Sequence, residues 1–464
     1  MIAIVPILPV LFPLMTLLVG CAVSVATVLG LAGTIERRRM MLRFLWKQKY
    51  SLLVIIAVPV LSRYGLTQLV ANWSRAPGVP MAIQTGVDWP MFRGGVHRTG
   101  VVADENHALT NTVLWSGGFQ ESFYASPTVV GNRVYGIGSN GDAARVFCWH
   151  NQTGELQWVH QPDEMRATFS SPVVVGNLLL SGEGLHKTAN SRVFCLDLSE
   201  AGRPKLHWSF STQSHVECTP IVVGDRVYIA AGDDGVYALS LHAEQDQRPA
   251  VLWHVPGNRL PDVETSLVAD TISVYVGTGV GGQHLVILDA ATGKETGRVT
   301  FEYPLHAPPA LVGQRLYVGM GQGDFVRASS NGGGAVACID TATSQVVWTF
   351  PTPATVLSAI TASEGEILFG CADGLVRCLS PEGQLVRSWD SGASIVASLA
   401  VTPRSICGVN TRGRLFVLDR PTWTMTWERS LGNEGYFISS PTISDGRIYV
   451  GTEKYDMQCL GQGL

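Results

Sequence analysis

Between residues 125 and 160 the chain alternates short apolar runs with polar turns. Ser126-Pro127 leads into a first run, Gly131-Asn132 turns, and Val134-Tyr135 begins a second. A turn over residues 138–142 opens a third run, Val146-Phe147-Cys148-Trp149, and Thr153-Gly154 leads into a fourth that ends at Trp158. β-Branched and aromatic runs broken at this spacing by Gly, Asn and Asp predict four short antiparallel strands. The same grammar recurs with openings at Ser126, Ser171, Thr219, Ser266, Pro308, Ser358, Ser398 and Ser440. Most units close on a tryptophan (Trp158, Trp208, Trp253, Trp348, Trp389, Trp427), and the fourth carries Gly297 at that place. A period of roughly 40–50 residues with four strands per unit predicts an all-β fold, an eight-bladed β-propeller.

The ends predict how the ring closes. The eighth unit stops after its third run, Met457-Gln458-Cys459, whereas residues 111–116 form an orphan fourth strand carrying Trp115. Pairing the two completes the last blade and removes exposed strand edges.

Ahead of this region lie two apolar stretches, residues 14–35 and 51–73. They flank a basic block of Arg37, Arg38, Arg39, Arg43, Lys47 and Lys49. The first stretch is long enough to span a bilayer. Residues 1–73 therefore read as a membrane anchor, and the positive-inside rule puts the propeller in the periplasm. A start at Met40 or Met41 would instead make Arg43, Lys47 and Lys49 the head of a signal sequence or anchor, again exporting the propeller. Residues 74–87 read as a linker and 88–464 as the propeller. Residues 88–95 begin the folded region as a strap anchored by Trp89 and Phe92.

Composition changes the picture little. The net charge of the 464-residue chain is −4, which gives no footprint for nucleic acid. Nine cysteines in an exported chain suggest disulfides. The repeat argues otherwise, because Cys148, Cys195, Cys338, Cys378 and Cys459 share one position late in the third strand. Equivalent positions on neighbouring blades stand about a sheet-packing distance of 10 Å apart, too far for a bridge.

The turn-and-Trp units resemble the quinoprotein repeat. Asp289-Ala290-Ala291-Thr292-Gly293-Lys294 matches the middle of its consensus. Asp340 to Trp348 and Asp419 to Trp427 keep its Asp-to-Trp spacing. The resemblance covers residues 88–464 and implies an eight-bladed ring with Trp docked between blades, Trp115 and the six closing tryptophans serving that role. It implies two activities: pyrroloquinoline quinone (PQQ) and calcium-dependent alcohol or sugar dehydrogenases, and a non-enzymatic outer-membrane-protein assembly lipoprotein. The dehydrogenases often carry a vicinal Cys-Cys pair and long inserted loops, neither of which occurs here.

Two residues before each unit opening, the chain enters the innermost strand at the ring's mouth. That position reads Tyr124, Phe169, Glu217, Glu264, His306, Val356, Val396 and Ile438. Glu217, Glu264 and His306 on consecutive blades could bind a divalent metal or tune a carboxylate for acid–base work. The plainer alternative is solvated polar groups at a wet channel mouth. On the same face a Gly-rich loop offers Asp324, Arg327 and Asn331 as ligand or partner contacts, and Phe123, Phe169, Phe325 and Phe437 are candidate interface aromatics. No nucleophile elbow, phosphate loop or HExxH zinc motif is present. The expectation is a membrane-anchored scaffold for a protein partner of the cell envelope, without a cofactor. The alternative is a PQQ-dependent oxidoreductase using Glu217, Glu264 and His306.

Overall fold

The computed structural model describes residues 88–462 apart from 105–106, 187, 201, 203, 245, 324–331, 364, 433–436 and 455. The expected anchor, the linker and the loop bearing Asp324, Phe325, Arg327 and Asn331 lie outside the described residues. Among the described residues no helix is long and apolar enough to cross a membrane.

Eight four-stranded antiparallel sheets are arranged as blades. Blade one runs outward through Thr128–Val130, Arg133–Asn140, Ala143–His150 and Leu156–His160. Blades two to seven begin at the inner strands Val173–Val175, Ile221–Val223, Val268–Ala269, Ala310–Val312, Thr361–Ala362 and Ala400–Val401. Blade eight has Thr442–Ser444, Arg447–Gly451 and Met457–Gly461 from the C-terminus, and its fourth strand is Val113–Gly117, with Trp115 opposite Cys459. The middle strands are buried on both faces by neighbouring blades, so they read as unbroken apolar runs rather than alternating ones.

The repeat's chemistry explains blade docking. Trp253 Nε1 donates to Ala290 O of blade four at 3.1 Å, and Trp348 Nε1 to Pro381 O of blade six at 2.8 Å. Trp208 reaches Leu241 O, Trp115 reaches Asn151 O and Trp427 reaches Leu109 O, while Trp158 packs with Val174 and Leu179 of blade two. The glycine of each Thr-Gly turn is the seat. Gly293 sits at φ 68°, and a Cβ there would lie 2.7 Å from the Trp253 ring. Blade six departs from expectation. Trp348 pairs with Cys338, but Cys378 pairs with Arg387, so Trp389 is two residues past the docking position. Arg387 takes the role by donating to Pro421 O of blade seven, and Trp389 lies against Phe416. All eight described cysteines are free and buried.

At the axis, the opening residue of six blades donates its backbone N–H to the hydroxyl of the next blade's opening residue. The chain of bonds runs Ser126 to Ser171, Ser171 to Thr219 and Thr219 to Ser266, then resumes from Ala359 to Ser398, Ser398 to Ser440 and Ser440 to Ser126. Ala359, not Ser358, therefore opens blade six. Three residues before each opening, a backbone N–H bonds the preceding blade: Val216 to Glu183 O, Leu305 to Thr278 O and Val356 to Met320 O. Val356 thus points into the interblade core, and Leu357 takes the mouth position assigned to it from sequence.

Residues 88–104 cross one face of the ring, the face of the first turn in each blade. Trp89 bridges Val129, Pro90 O accepts from Val174, His97 O from Leu311, Thr99 O from Ala362, and Val101 bridges Val401. Two buried arginines fasten this strap. Arg98 donates to Leu267 O, Thr219 O and Pro220 O, and Arg93 to Leu399 O, Ile360 O and Thr361 Oγ1. Burial pulls both guanidinium pKa values down to about 9, which leaves them cationic at neutral pH. Gly100 is required beside Arg93, because a Cβ there would fall 2.2 Å from the guanidinium. Arg98→Met should lower unfolding free energy in urea by at least about 3 kcal/mol, since it leaves three buried carbonyls short of a donor. A loss below about 1 kcal/mol would show that the strap is dispensable.

Candidate functional site

The face opposite the strap holds the mouth of the axial channel. In a strand, residues two apart share a side. Each stretch entering an inner strand therefore turns its opening-minus-three residue into the interblade core, and its minus-two and minus-four residues toward the mouth. In blade three these are Glu217 and His215, and in blade four Glu264 and Asp262. These side chains are buried: Glu217 is 1% exposed, Glu264 3%, His215 4% and His306 2%.

The three residues singled out from sequence do not form one trio. Glu217 and Glu264 gather with His215 and His186, whose donor atoms all lie within 4.8 Å of one another. His306 instead joins Glu264 and Asp262 in a second group within the same limit. Glu264 belongs to both. His215 Nε2 stands 3.6 Å from Glu217 Oε1 and 3.6 Å from Glu264 Oε1, and His186 Nδ1 lies against Glu264 Oε1. His186 rides on the loop between Leu178–Gly182 and Arg192–Asp197 of blade two. The buried carboxylate of Glu183 holds the base of that loop through Arg192, at 2.8 Å, and Arg166, while Arg166 also bonds Ala189 O and Ser191 Oγ. Sequence reading missed His186, His215 and Asp262. The alternating pairs His215-x-Glu217 and Asp262-x-Glu264 on successive blades were the available signal for two of them.

Below the mouth lies a cavity of about 90 Å³, lined among others by Tyr124, Phe169, Glu217, His306, Leu357 and Ile438 and floored by Phe92 of the strap. Trp89 is fully buried, whereas Phe92 is only half-buried. The aromatic candidates divide differently from expectation. Phe123 and Phe437 are core residues, and Phe169 packs edge-on to Tyr124 with centroids 5.5 Å apart.

Electrostatics follow from the burial. Burial pushes Glu217 up to about 8. Burial, then the Asp262 and Glu217 carboxylates, push Glu264 up to about 9. Burial, then the neighbouring His186 imidazole, pull His215 down to about 4. Near pH 7 these shifts leave Glu217, Glu264 and His215 in their neutral forms. The carboxyls keep protons in the folded chain that the unfolded chain releases above about 4.5, so they penalise folding progressively as pH rises toward 8–9. His215 acts oppositely, penalising folding as pH falls from about 6.5 toward 4. In chelator-treated protein, Glu217→Gln should flatten only the alkaline limb. The variant should melt about 1–3 °C above the parent at pH 8 and level with it at pH 5. Equal pH slopes in calorimetry would contradict this.

Comparisons place this architecture. The family model for outer membrane protein assembly factor BamB matches residues 71–203, 187–295 and 281–389. No curated protein matches the chain in sequence. Among solved structures, BamB from Moraxella catarrhalis is 14% identical with a TM-score of 0.58, over 76% of this chain and 98% of that one. A quinohemoprotein alcohol dehydrogenase from Comamonas testosteroni is 14% identical with a TM-score of 0.63, over 84% of this chain and 81% of that one. The computationally designed Ika8 protein is 17% identical with a TM-score of 0.62, over 76% of this chain and all of that one. At such identities the likeness of the structures concerns the fold alone. The repeat match over successive blades and the eight four-stranded sheets together show that the chain belongs to the PQQ-repeat β-propeller family described by the BamB model.

Proposed function

We propose that this propeller is a protein-binding scaffold of the cell envelope, held at the membrane by residues 1–73 and facing the periplasm. The face opposite the strap receives the partner. The observation that carries this reading is the small axial site without a lining cation among the described residues. Small-molecule pockets run to about 300–1,000 Å³, against a cavity of about 90 Å³ here. PQQ carries three carboxylates. No lysine or arginine lines the cavity among the described residues to pair with them. The residues present do not fit that cofactor.

The open face instead displays apolar side chains to solvent. Phe119 is 65% exposed, and it and Gln120 both hold left-handed backbone conformations, φ 58° and 62°. The Gln120 N–H donates to Asp456 Oδ1 at 2.6 Å, which fixes the loop. Val280, on a blade-four loop of the same face, is also exposed. Exposed apolar side chains on a loop-bearing face suit a protein interface. The name of the matched family model, an outer membrane protein assembly factor, favours a role in envelope assembly.

Photo-crosslinking residues placed in the full chain at Phe119 and Val280 in cells should give discrete adducts with an envelope protein. The same probe at Ile272, an exposed turn on the strap face, should give none. Titrating the full chain with PQQ, with and without calcium, should show no saturable binding. Calcium-dependent PQQ binding with dye-linked oxidation of an alcohol or sugar would overturn the scaffold reading and make the chain a quinoprotein oxidoreductase.

A further inference from the structure

The cluster at the mouth of blades two to four has features that neither a scaffold nor a solvated channel requires. Both carboxylate oxygens of Glu217 and Nε2 of His215 are buried without a hydrogen-bond partner. Leaving such atoms unpaired in a dry interior is unfavourable. They converge with His186 and Glu264 on one small volume. We infer that His186, His215, Glu217 and Glu264 form a binding site for one divalent transition-metal ion of the zinc class, which clips the His186 loop of blade two to the mouths of blades three and four.

Geometry supports the assignment. A tetrahedral ion with bonds of about 2.0–2.1 Å holds its donors about 3.3 Å apart. The His215 Nε2 separations of 3.6 Å from Glu217 and from Glu264 are close to that edge. The widest separation in the set stays within 4.8 Å, so small side-chain rotations close the shell. Two carboxylates also match the charge of a divalent ion, giving a neutral assembly suited to a buried position. Two imidazole donors select zinc and its neighbours over calcium or magnesium, which take oxygen ligands.

The surroundings are built to present these donors. Ser214 Oγ stands 3.2 Å from His215 Nδ1. A hydrogen bond there orients the ring and leaves Nε2 for the ion, the usual arrangement behind a metal-bound histidine. Gly232, at φ 50°, gives the ring its space, since a Cβ there would lie 2.6 Å from His215 Cε1. His186 alone of the four is exposed, half open to solvent, so it marks the route by which the ion enters. With four protein donors the shell is closed, and the role is structural rather than that of a hydrolytic centre, which keeps a position for water. Nothing in this assignment depends on whether the open face binds a protein.

The test uses the full chain, stripped with a chelator and titrated with Zn²⁺ against a chromophoric competitor. Bound metal is counted by elemental analysis. One ion per chain is expected, with Co²⁺ giving the intense visible absorption of a tetrahedral site and millimolar Ca²⁺ or Mg²⁺ failing to displace it. His215→Ala and Glu217→Gln should each weaken binding at least about 100-fold. His186→Ala should weaken it at least about 10-fold. Because His186 is half exposed, that variant reports even if the buried ones fail to fold. Absence of saturable Zn²⁺ binding, or unchanged affinity in His186→Ala, overturns the inference. So does displacement by Ca²⁺, and so does affinity lost in His306→Ala but kept in His186→Ala, which would place the ion on the Asp262 side.

Discussion

The innermost strand of every blade is an edge strand, and its unpaired backbone groups face the axis. Buried N–H and C=O groups must find partners, and that requirement shapes the centre of this molecule. Six N–H groups are met by hydroxyls of the next blade, which is why Ser or Thr opens so many units. The ring of bonds breaks only between blades four and six, where Pro308 has neither a hydroxyl nor an N–H to offer. Carbonyls deeper in the channel are met in part by hydroxyls of the adjacent blade, as Pro172 O is by Thr128 Oγ1 and Leu399 O by Thr361 Oγ1. Arg93 and Arg98 of the strap meet several of them, spanning blades three, four, six and seven. The strap is thus a solution to the edge problem at the axis, as the borrowed strand Val113–Gly117 is at the rim of the ring.

Phe92 of the strap lines the axial cavity together with Glu217 and His306, and Glu264 and His215 are buried close by. Burial moves the pKa values of Glu217, Glu264 and His215 toward neutral forms. The polar residues concentrate in blades two to five, whereas Leu357, Val396 and Ile438 supply apolar mouth groups opposite. The axial site is therefore lopsided, with its chemistry gathered under the His186 loop.

The matched family model is named for an assembly factor and one solved structure of the same fold is a dehydrogenase, so the fold does not specify an activity. What separates the possibilities is the axial volume and its charge. Here the strap and the interblade packing leave a small site with no lining cation among the described residues, and the exposed apolar groups lie on the loops around it.

Much of the fold was legible in the residues because its rules are local and repeated. Short apolar runs and Thr-Gly turns set the strands. The missing fourth strand of the last unit and the orphan strand before Ser126 specified the closure. The shared position of Cys148, Cys195, Cys338, Cys378 and Cys459 excluded bridges, and these cysteines are free and buried. Blade six misled, since Ser358 beside Ala359 and Trp389 near Arg387 mimic the motif one and two residues out of register. Only hydrogen bonds to the neighbouring blades identify the true positions. The candidate site was half legible. Glu217, Glu264 and His306 follow from counting back along each unit, and the sequence by itself put polar groups on consecutive blades. Their division into two groups, the arrival of His186 from a loop of another blade, and the burial of these side chains were decided by tertiary structure. The physical reason is that burial and convergence depend on which side chains from distant segments share a volume, and no spacing along one strand encodes that.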